Sequence, residues 1–139
     1  MSDLTLYHNG PSTCSQKVRL ILELKKLSYN SKDVNLLAGE QHDPEYVKLN
    51  PNHVVPTLVT KDNVLIESNL IVEYLDDAYP EIPARPSAPE AIHKVRLWMK
   101  QIDAFQQYTG PITYGIAVRK LQMNKSDEEK EADLQNIPD

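Results

Sequence analysis

Cysteine occurs once in this 139-residue chain, as do tryptophan and phenylalanine. A lone cysteine excludes an internal disulfide and suits a reducing compartment. It makes Cys14 either a packed thiol or a reactive one. Only four glycines are present, and no phosphate-cradling glycine loop is among them. Positive charge is also scarce. The net charge is −5 at pH 7 and the pI is near 5.3, which argues against nucleic acid or an anionic membrane as a partner, since both demand a basic surface. No apolar run approaches the ~20 residues of a membrane span. The opening MSDLTLYHNG has neither a charged n-region nor an apolar h-region, so a cytoplasmic location without a secretory signal is expected. His8, His42, His53 and His93 are dispersed along the chain and no CxxC or HxxxH spacing occurs, so no metal site is expected. What remains is an ordinary soluble composition, 40% hydrophobic and 25% charged. The length suits one domain with a real core, or a small domain plus part of another.

Leu4–His8 alternates and is followed by the turn signal Asn9-Gly10-Pro11, which predicts a short strand. Val18, Ile21, Leu22 and Leu24 recur at helical spacing and predict a helix from about Ser15 to Lys26. Tyr29–Leu36 carries a weaker strand signal. Asp43-Pro44-Glu45 starts a short helix that must end by Asn50-Pro51. Val54–Thr60 and Val64–Ile66 flank an Asp62-Asn63 turn and read as a hairpin. Ser68 is placed to cap a helix that ends before Pro80. Residues 80–86, rich in proline, form the expected linker. Ser87-Ala88-Pro89-Glu90 is a capping box opening an amphipathic helix over about 88–107. Thr109-Gly110-Pro111 is expected to interrupt it, a further helix to run from Pro111 to Met123, and a polar acidic segment to begin at Ser126. The order β-α-β-α-β-β-α predicts an α/β domain with a small mixed four-stranded sheet over residues 1–79. An all-helical part follows over 87–139.

Three separated segments say more than this order does. They are Pro11-Ser12-Thr13-Cys14-Ser15-Gln16-Lys17-Val18-Arg19, Leu49-Asn50-Pro51-Asn52-His53-Val54-Val55-Pro56-Thr57-Leu58, and Ile66-Glu67-Ser68-Asn69-Leu70-Ile71-Val72-Glu73-Tyr74-Leu75. Jointly they resemble the thioredoxin-like N-terminal domain of soluble glutathione transferases. The resemblance covers about residues 4–79, and the helix at 88–107 resembles the start of that family's all-helical second domain. The Ser12-Thr13-Cys14-Ser15 run is similar to the zeta class, which includes maleylacetoacetate isomerases and tetrachlorohydroquinone reductive dehalogenases. Ile112-Thr113-Tyr114-Gly115 resembles the dehalogenase branch. The family's helical domain usually exceeds a hundred residues, whereas Ser87–Asp139 supply about two helices. The chain therefore reads as an N-terminal piece of such a protein or as a short relative.

The resemblance implies glutathione as cosubstrate, a small electrophilic substrate, aromatic or quinoid, and a homodimer. The physical chemistry of the first motif agrees. The nucleophile of glutathione is its thiolate, and a helix N-terminus stabilises a thiolate through unpaired N–H groups and partial positive charge. Ser12 can donate a hydrogen bond to that sulfur. The resemblance to the dehalogenases implies that Cys14 forms a mixed disulfide with glutathione or attacks a glutathionyl adduct. Ser15 is the alternative hydroxyl, because in the related β-etherases the key serine falls nearer to it. The plainer alternative keeps Cys14 as a small buried hydrophobe and Ser12 as a cap. Val55-Pro56 resembles the family's cis-proline turn, which implies that the Val55 backbone pairs with the cysteinyl backbone of glutathione like an added strand; a trans proline at a strand start is the alternative. Glu67 and Ser68 resemble the residues at the γ-glutamyl end, and Gln41 and His53 those at the glycyl end; N-capping by Ser68 and solvated loop positions for the other two are the alternatives. Tyr108 and Tyr114 are candidates for lining a substrate pocket or packing a helical core. Two functions stay open: a glutathione-dependent transferase, isomerase or thiol-assisted dehalogenase, and a glutathione transferase-like binding or interaction module without turnover.

Overall fold

The computed structural model describes residues 3–113, 115–116, 119 and 123–135. The chain divides into two compact units, Met1–Ala84 and Arg85–Asp139. The first contains β1 (Thr5–His8), α1 (Thr13–Leu24), β2 (Asn30–Asp33), a 3₁₀ turn (Glu40–His42), α2 (Pro44–Val47), β3 (Thr57–Val59), β4 (Val64–Leu65) and α3 (Ser68–Ala78). The sheet order is β2-β1-β3-β4. β1 and β2 run parallel, joined by the α1 crossover, while β3 is antiparallel to both β1 and β4. This is the expected mixed four-stranded sheet.

The sheet separates two apolar layers. Leu6 pairs with Leu58 and Leu58 with Leu65 across the strands. Leu6 and Leu58 are fully buried with Leu4 against Val18 and Leu22 of α1 and Ile71 and Leu75 of α3. Side chains alternate along a strand, so Tyr7 falls in the other layer, with Val34, Tyr46 and Val55. The rings of Tyr7 and Tyr46 lie 5.8 Å apart. β2 is exposed along its whole length and occupies a sheet edge, where Lys32 and Asp33 discourage further pairing. That exposure is why its sequence lacks a clear strand pattern.

Helix ends account for the differences from expectation. α1 begins at Thr13 rather than Ser15, because Ser12 is its N-cap and accepts from the Ser15 N–H. It ends at Leu24. Lys26 then adopts φ 55°, the Lys26 N–H bonds the Glu23 carbonyl, and the Leu27 N–H bonds the Leu22 carbonyl. That pair of bonds is a Schellman closure, with Leu27 packed back on the core. Ser68 is not the cap of α3. Glu67 holds that position at φ 67°, ψ 106°, and its side chain makes no capping bond. β3 starts only at Thr57, since Pro56 has no N–H to offer a ladder.

In the second unit, α4 runs over Pro89–Thr113 with Pro111 inside it. The expected interruption does not occur. Gly110 precedes the proline, and a residue without Cβ escapes part of the clash that normally drives the pre-proline position from the helical region. The expected helix from Pro111 to Met123 includes positions outside the described residues. α5 spans Asp127–Gln135, opened by a reciprocal capping box in which the Glu129 N–H donates to Ser126 Oγ and the Ser126 N–H to Glu129 Oε2. No helix among the described residues is long and apolar enough to cross a membrane.

One buried ion pair ties the first unit together. Lys25 Nζ lies 2.6 Å from Asp76 Oδ1, with both side chains almost fully buried. Its other two hydrogens reach the carbonyls of Tyr79 at 2.9 Å and Ile82 at 2.7 Å. Asp76 Oδ1 also accepts from the Ala84 N–H at 2.7 Å. Asp76→Asn leaves the ammonium buried without its counter-charge and is expected to cost about 3–5 kcal/mol of stability, measured by urea unfolding at pH 7.

His8, at the end of β1, is buried with Nε2 2.7 Å from Ser31 Oγ, and its Nδ1 has no hydrogen-bond partner among the described residues. Burial, then the Arg19 charge, lower its pKa below the ordinary imidazole value, with Asp33 opposing. The folded state therefore binds fewer protons at His8 than the unfolded state once the pH drops below about 6.5. His8 contributes stability above that pH, and the contribution is lost as pH falls towards the lowered pKa. In His8→Gln, the drop in unfolding free energy between pH 7 and pH 5 is expected to be smaller than in the parent, read from paired urea titrations.

Candidate functional site

The start of α1 sorts the three candidate side chains by burial. Ser12 is half-buried, and its Oγ accepts from the Ser15 N–H at 3.3 Å. Ser15 is fully buried, and its Oγ accepts from the Asn9 N–H at 3.3 Å. Its hydroxyl is thus part of the turn that leads into the helix. Cys14 is half-buried between them. Lys17 lies one helical turn further on, and i, i+3 spacing puts it on the same face as Cys14.

That face meets the start of α3. Lys17 Nζ donates to Ser68 Oγ at 3.0 Å and to Asn69 Oδ1 at 2.5 Å. Glu67, the preceding residue, is exposed and accepts from Asn52 Nδ2 at 3.5 Å. Next to Asn52, His53 adopts φ 55° and brings its Nδ1 within 3.1 Å of His42 Nδ1. Gln41 Nε2 is 3.2 Å from His42 Nε2. An amide N–H donates, so His42 Nε2 accepts, its proton sits on Nδ1, and that N–H donates to His53. A string of contacts therefore links α1, the α3 start, His53 and Gln41.

Between His53 and β3 lies Val55-Pro56, joined by a cis peptide bond. A closed polar ring brackets it. The Tyr46 phenol donates to the Val54 carbonyl at 2.6 Å and contacts Thr57 Oγ1 at 3.0 Å. Asn50 Nδ2 donates to the same Val54 carbonyl at 2.8 Å and to Thr57 Oγ1 at 3.0 Å. Tyr46 has one hydrogen and spends it on Val54, so the Thr57 hydroxyl donates to Tyr46. Burial pushes the Tyr46 phenol up, against the hydrogen bonds from Thr57 and Asn50, so it stays a neutral donor. Val55 is buried, yet neither its N–H nor its C=O takes part in a hydrogen bond with the described residues.

All the candidate binding residues, Gln41, His53, Val55, Pro56, Glu67 and Ser68, lie in this linked region. Lys17 and His42 join it and were not singled out in the sequence. Spacing along the chain gives no sign that the two histidines meet. Lys17 was readable only as a polar position on an amphipathic helix. Among the described residues no cluster of three metal-ligating side chains occurs. Tyr108 is exposed, and Tyr114 lies outside the described residues.

A strand–helix–strand unit and a hairpin in one mixed four-stranded sheet define a thioredoxin-like domain. The chain belongs to the glutathione S-transferase family: the family model described as "Glutathione S-transferase, N-terminal domain" matches residues 2–77. Its relatives include the zeta class, in agreement with the resemblance of the Ser12–Ser15 run. A zeta-class glutathione S-transferase of Euphorbia esula is 46% identical over 91 residues, 66% of this chain and 39% of that protein. The β-etherase LigF from Sphingobium sp. strain SYK-6 superposes with a TM-score of 0.87 at 33% identity, covering 99% of this chain and 58% of that chain. A glutathione transferase homologue from Sulfitobacter, with bound glutathione, gives a TM-score of 0.70 at 27% identity, covering 96% of this chain and 62% of that chain. The chain thus spans 39% to 62% of the length of these relatives.

The polar ring around Val55-Pro56 generates a stability prediction. Tyr46→Phe deletes one donor to Val54 and the acceptor of the Thr57 hydroxyl, and is expected to cost about 1–3 kcal/mol. Asn50→Ala removes the amide that serves both partners and is expected to cost at least as much. Equilibrium unfolding in urea measures both.

Proposed function

We propose that this chain is a glutathione-dependent enzyme domain that presents an activated glutathione thiolate to a small electrophile. The observation that carries the reading is Val55: a buried residue whose N–H and C=O make no hydrogen bond with the described residues, where buried backbone groups are nearly always paired. An extended cysteinyl backbone would complete both bonds as an added strand. Such a strand would run between the α3 start and the Gln41–His42–His53 group, with its two ends near Ser68 and His53. Its central sulfur would then belong at the start of α1.

There Ser12 would donate to the sulfur, and the N-terminal N–H groups of α1 would favour its charged form. Cys14, half-buried on the same turn, would attack the sulfur of a glutathionyl thioether, forming the Cys14–glutathione disulfide as the carbon–sulfur bond breaks and its electron pair leaves with the substrate carbon, which takes a proton; a second glutathione thiolate would then free Cys14 as glutathione disulfide leaves. Ser15, buried against Asn9, would hold the turn. Transfer to an electrophile, cis–trans isomerisation and thiol-assisted reductive dehalogenation share this first step. The β-etherase named among the relatives adds ether cleavage to the substrate classes in view, and an aromatic or quinoid electrophile fits transfer, dehalogenation and ether cleavage, whereas isomerisation calls for an electron-poor alkene. In this reading residues 1–79 form the glutathione-binding domain and 87–139 the start of a helical domain. A cytoplasmic homodimer belongs to the same reading, with Trp98, Ile102 and Phe105 as an exposed apolar stripe on α4.

The test is glutathione-dependent turnover of an electrophilic aromatic substrate by the purified chain. Ser12→Ala is expected to lower kcat about 10²-fold or more, by analogy with loss of one preorganised donor to a developing anion. Cys14→Ala is expected to leave simple conjugation near parental and to abolish reductive dehalogenation and mixed-disulfide formation, followed by intact mass. Glutathione binding with no turnover on any electrophile would instead favour the binding-module function.

A further inference from the structure

The loop that joins β1 to α1 carries Ser12, and its backbone is pinned from two sides. Asn9, the first residue after β1, holds one side. Its Nδ2 donates to the Val34 carbonyl at 3.0 Å, its N–H donates to the buried Ser15 Oγ at 3.3 Å, and its carbonyl accepts from the Ser12 N–H at 3.2 Å. Gly10 holds the other side. A carbonyl oxygen has two lone pairs, and both at Gly10 are taken by side chains of α1: Gln16 Nε2 donates at 3.3 Å and an Arg19 guanidinium N–H at 2.9 Å. Gln16 and Arg19 stand three residues apart and so share a helix face. Gln16 is exposed and its bond is long. Arg19 is half-buried, and its bond is shorter and charge-assisted, the stronger kind. Among the described residues the Gly10 carbonyl is the one hydrogen-bond partner of the Arg19 side chain.

What the clamp controls follows from the backbone. The Gly10 oxygen belongs to the planar peptide group that joins Gly10 to Pro11, so holding that oxygen holds the plane. The pyrrolidine ring fixes φ of Pro11. One soft dihedral, ψ of Pro11, then separates the plane from the Ser12 N–H. On its other side Ser12 is tied to α1, since its Oγ accepts from the Ser15 N–H and its carbonyl from the Gln16 N–H. We infer that Arg19 is a positioning residue: by holding the Gly10 carbonyl it sets where the Ser12 hydroxyl stands relative to a glutathione sulfur at the start of α1. This inference rests on the glutathione reading above, in which Ser12 donates to that sulfur. Placement matters there, because a misplacement of about 1 Å can cost on the order of 10²-fold in rate.

The experiment titrates the thiol of glutathione bound to the full chain, read by the ultraviolet absorbance of the thiolate. Ser12→Ala is expected to raise the pH of half-ionisation, because a hydrogen bond that favours the charged form is gone. Arg19→Met is expected to raise it by about one pH unit, a roughly tenfold loss of thiolate on the acid side. In the Ser12→Ala background the same substitution is expected to add no more than about 0.3 pH unit, since the hydroxyl through which Arg19 acts is absent. Thermal melting accompanies each variant. A lower melting temperature with an unmoved titration marks a purely structural role and overturns the assignment. So does a shift of equal size with and without the Ser12 hydroxyl, which marks a direct effect of the guanidinium charge on the thiolate. Gln16→Ala cuts the longer, uncharged bond to the same carbonyl. It is expected to move the titration in the same direction by less, and it decides the question if Arg19→Met does not fold. A titration that Ser12→Ala leaves unmoved, or a folded parent that binds no glutathione, overturns the underlying reading and this inference with it; both results are distinct from those that concern Arg19 alone.

Discussion

The Val54 carbonyl is the point on which the site turns. It accepts from Tyr46 of α2 and from Asn50 just beyond it, while Thr57 at the head of β3 closes the ring. Four residues from three local structures thus hold the segment on either side of Val55-Pro56. Buried polar rings of this kind are strong when every member is satisfied and costly when one is not. The ring here is complete, and its members define one arrangement of the turn. Tyr46 also packs on Tyr7, so the same phenol links the sheet's second layer to the loop. The apolar layer and the backbone that faces a ligand are therefore parts of one structure.

The start of α1 shows how burial separates chemically similar groups. Ser12 and Ser15 are both hydroxyls near a helix N-terminus. The cap is Ser12, since its Oγ takes the Ser15 N–H. Ser15 turns inward and takes the Asn9 N–H. One serine is thereby left at the surface of the helix end while the other stabilises the approach to it. A substitution at Ser15 would disturb the turn itself, which makes Ser12 the cleaner position at which to ask about chemistry.

Much of the fold was legible because the relevant signals are local. Leu6, Val18, Leu22, Leu58, Ile71 and Leu75 stand at strand or helix spacing, and all are core residues. Asn9-Gly10-Pro11 and Asp62-Asn63 marked turns that occur. What was less legible depends on contacts distant in sequence. Lys17 reaches 51 residues along the chain to Ser68, and nothing near Lys17 announces it. His42 and His53 are 11 residues apart and meet only because the 3₁₀ turn and the Asn52–His53 bend face each other. The cap of α3 was misplaced by one residue because serine is the better capping type, whereas the chain places Glu67 there in an unusual backbone conformation. Pro111 was read as a stop because the rule for prolines assumes a side chain on the preceding residue, and Gly110 has none.

The Lys25–Asp76 pair has a bearing on where the first unit ends. Composition draws the boundary at the proline-rich stretch after Tyr79, but the charges draw it later. The ammonium is solvated by the carbonyls of Tyr79 and Ile82, and the carboxylate by the N–H of Ala84. The connector up to Ala84 therefore acts as part of the ion pair's solvent shell. A chain cut at Tyr79 would keep both charges and lose part of what hydrates them. The solvation of one lysine and its partner thus carries the first unit to Ala84, five residues beyond Tyr79, where the sequence pattern ends the helix before Pro80.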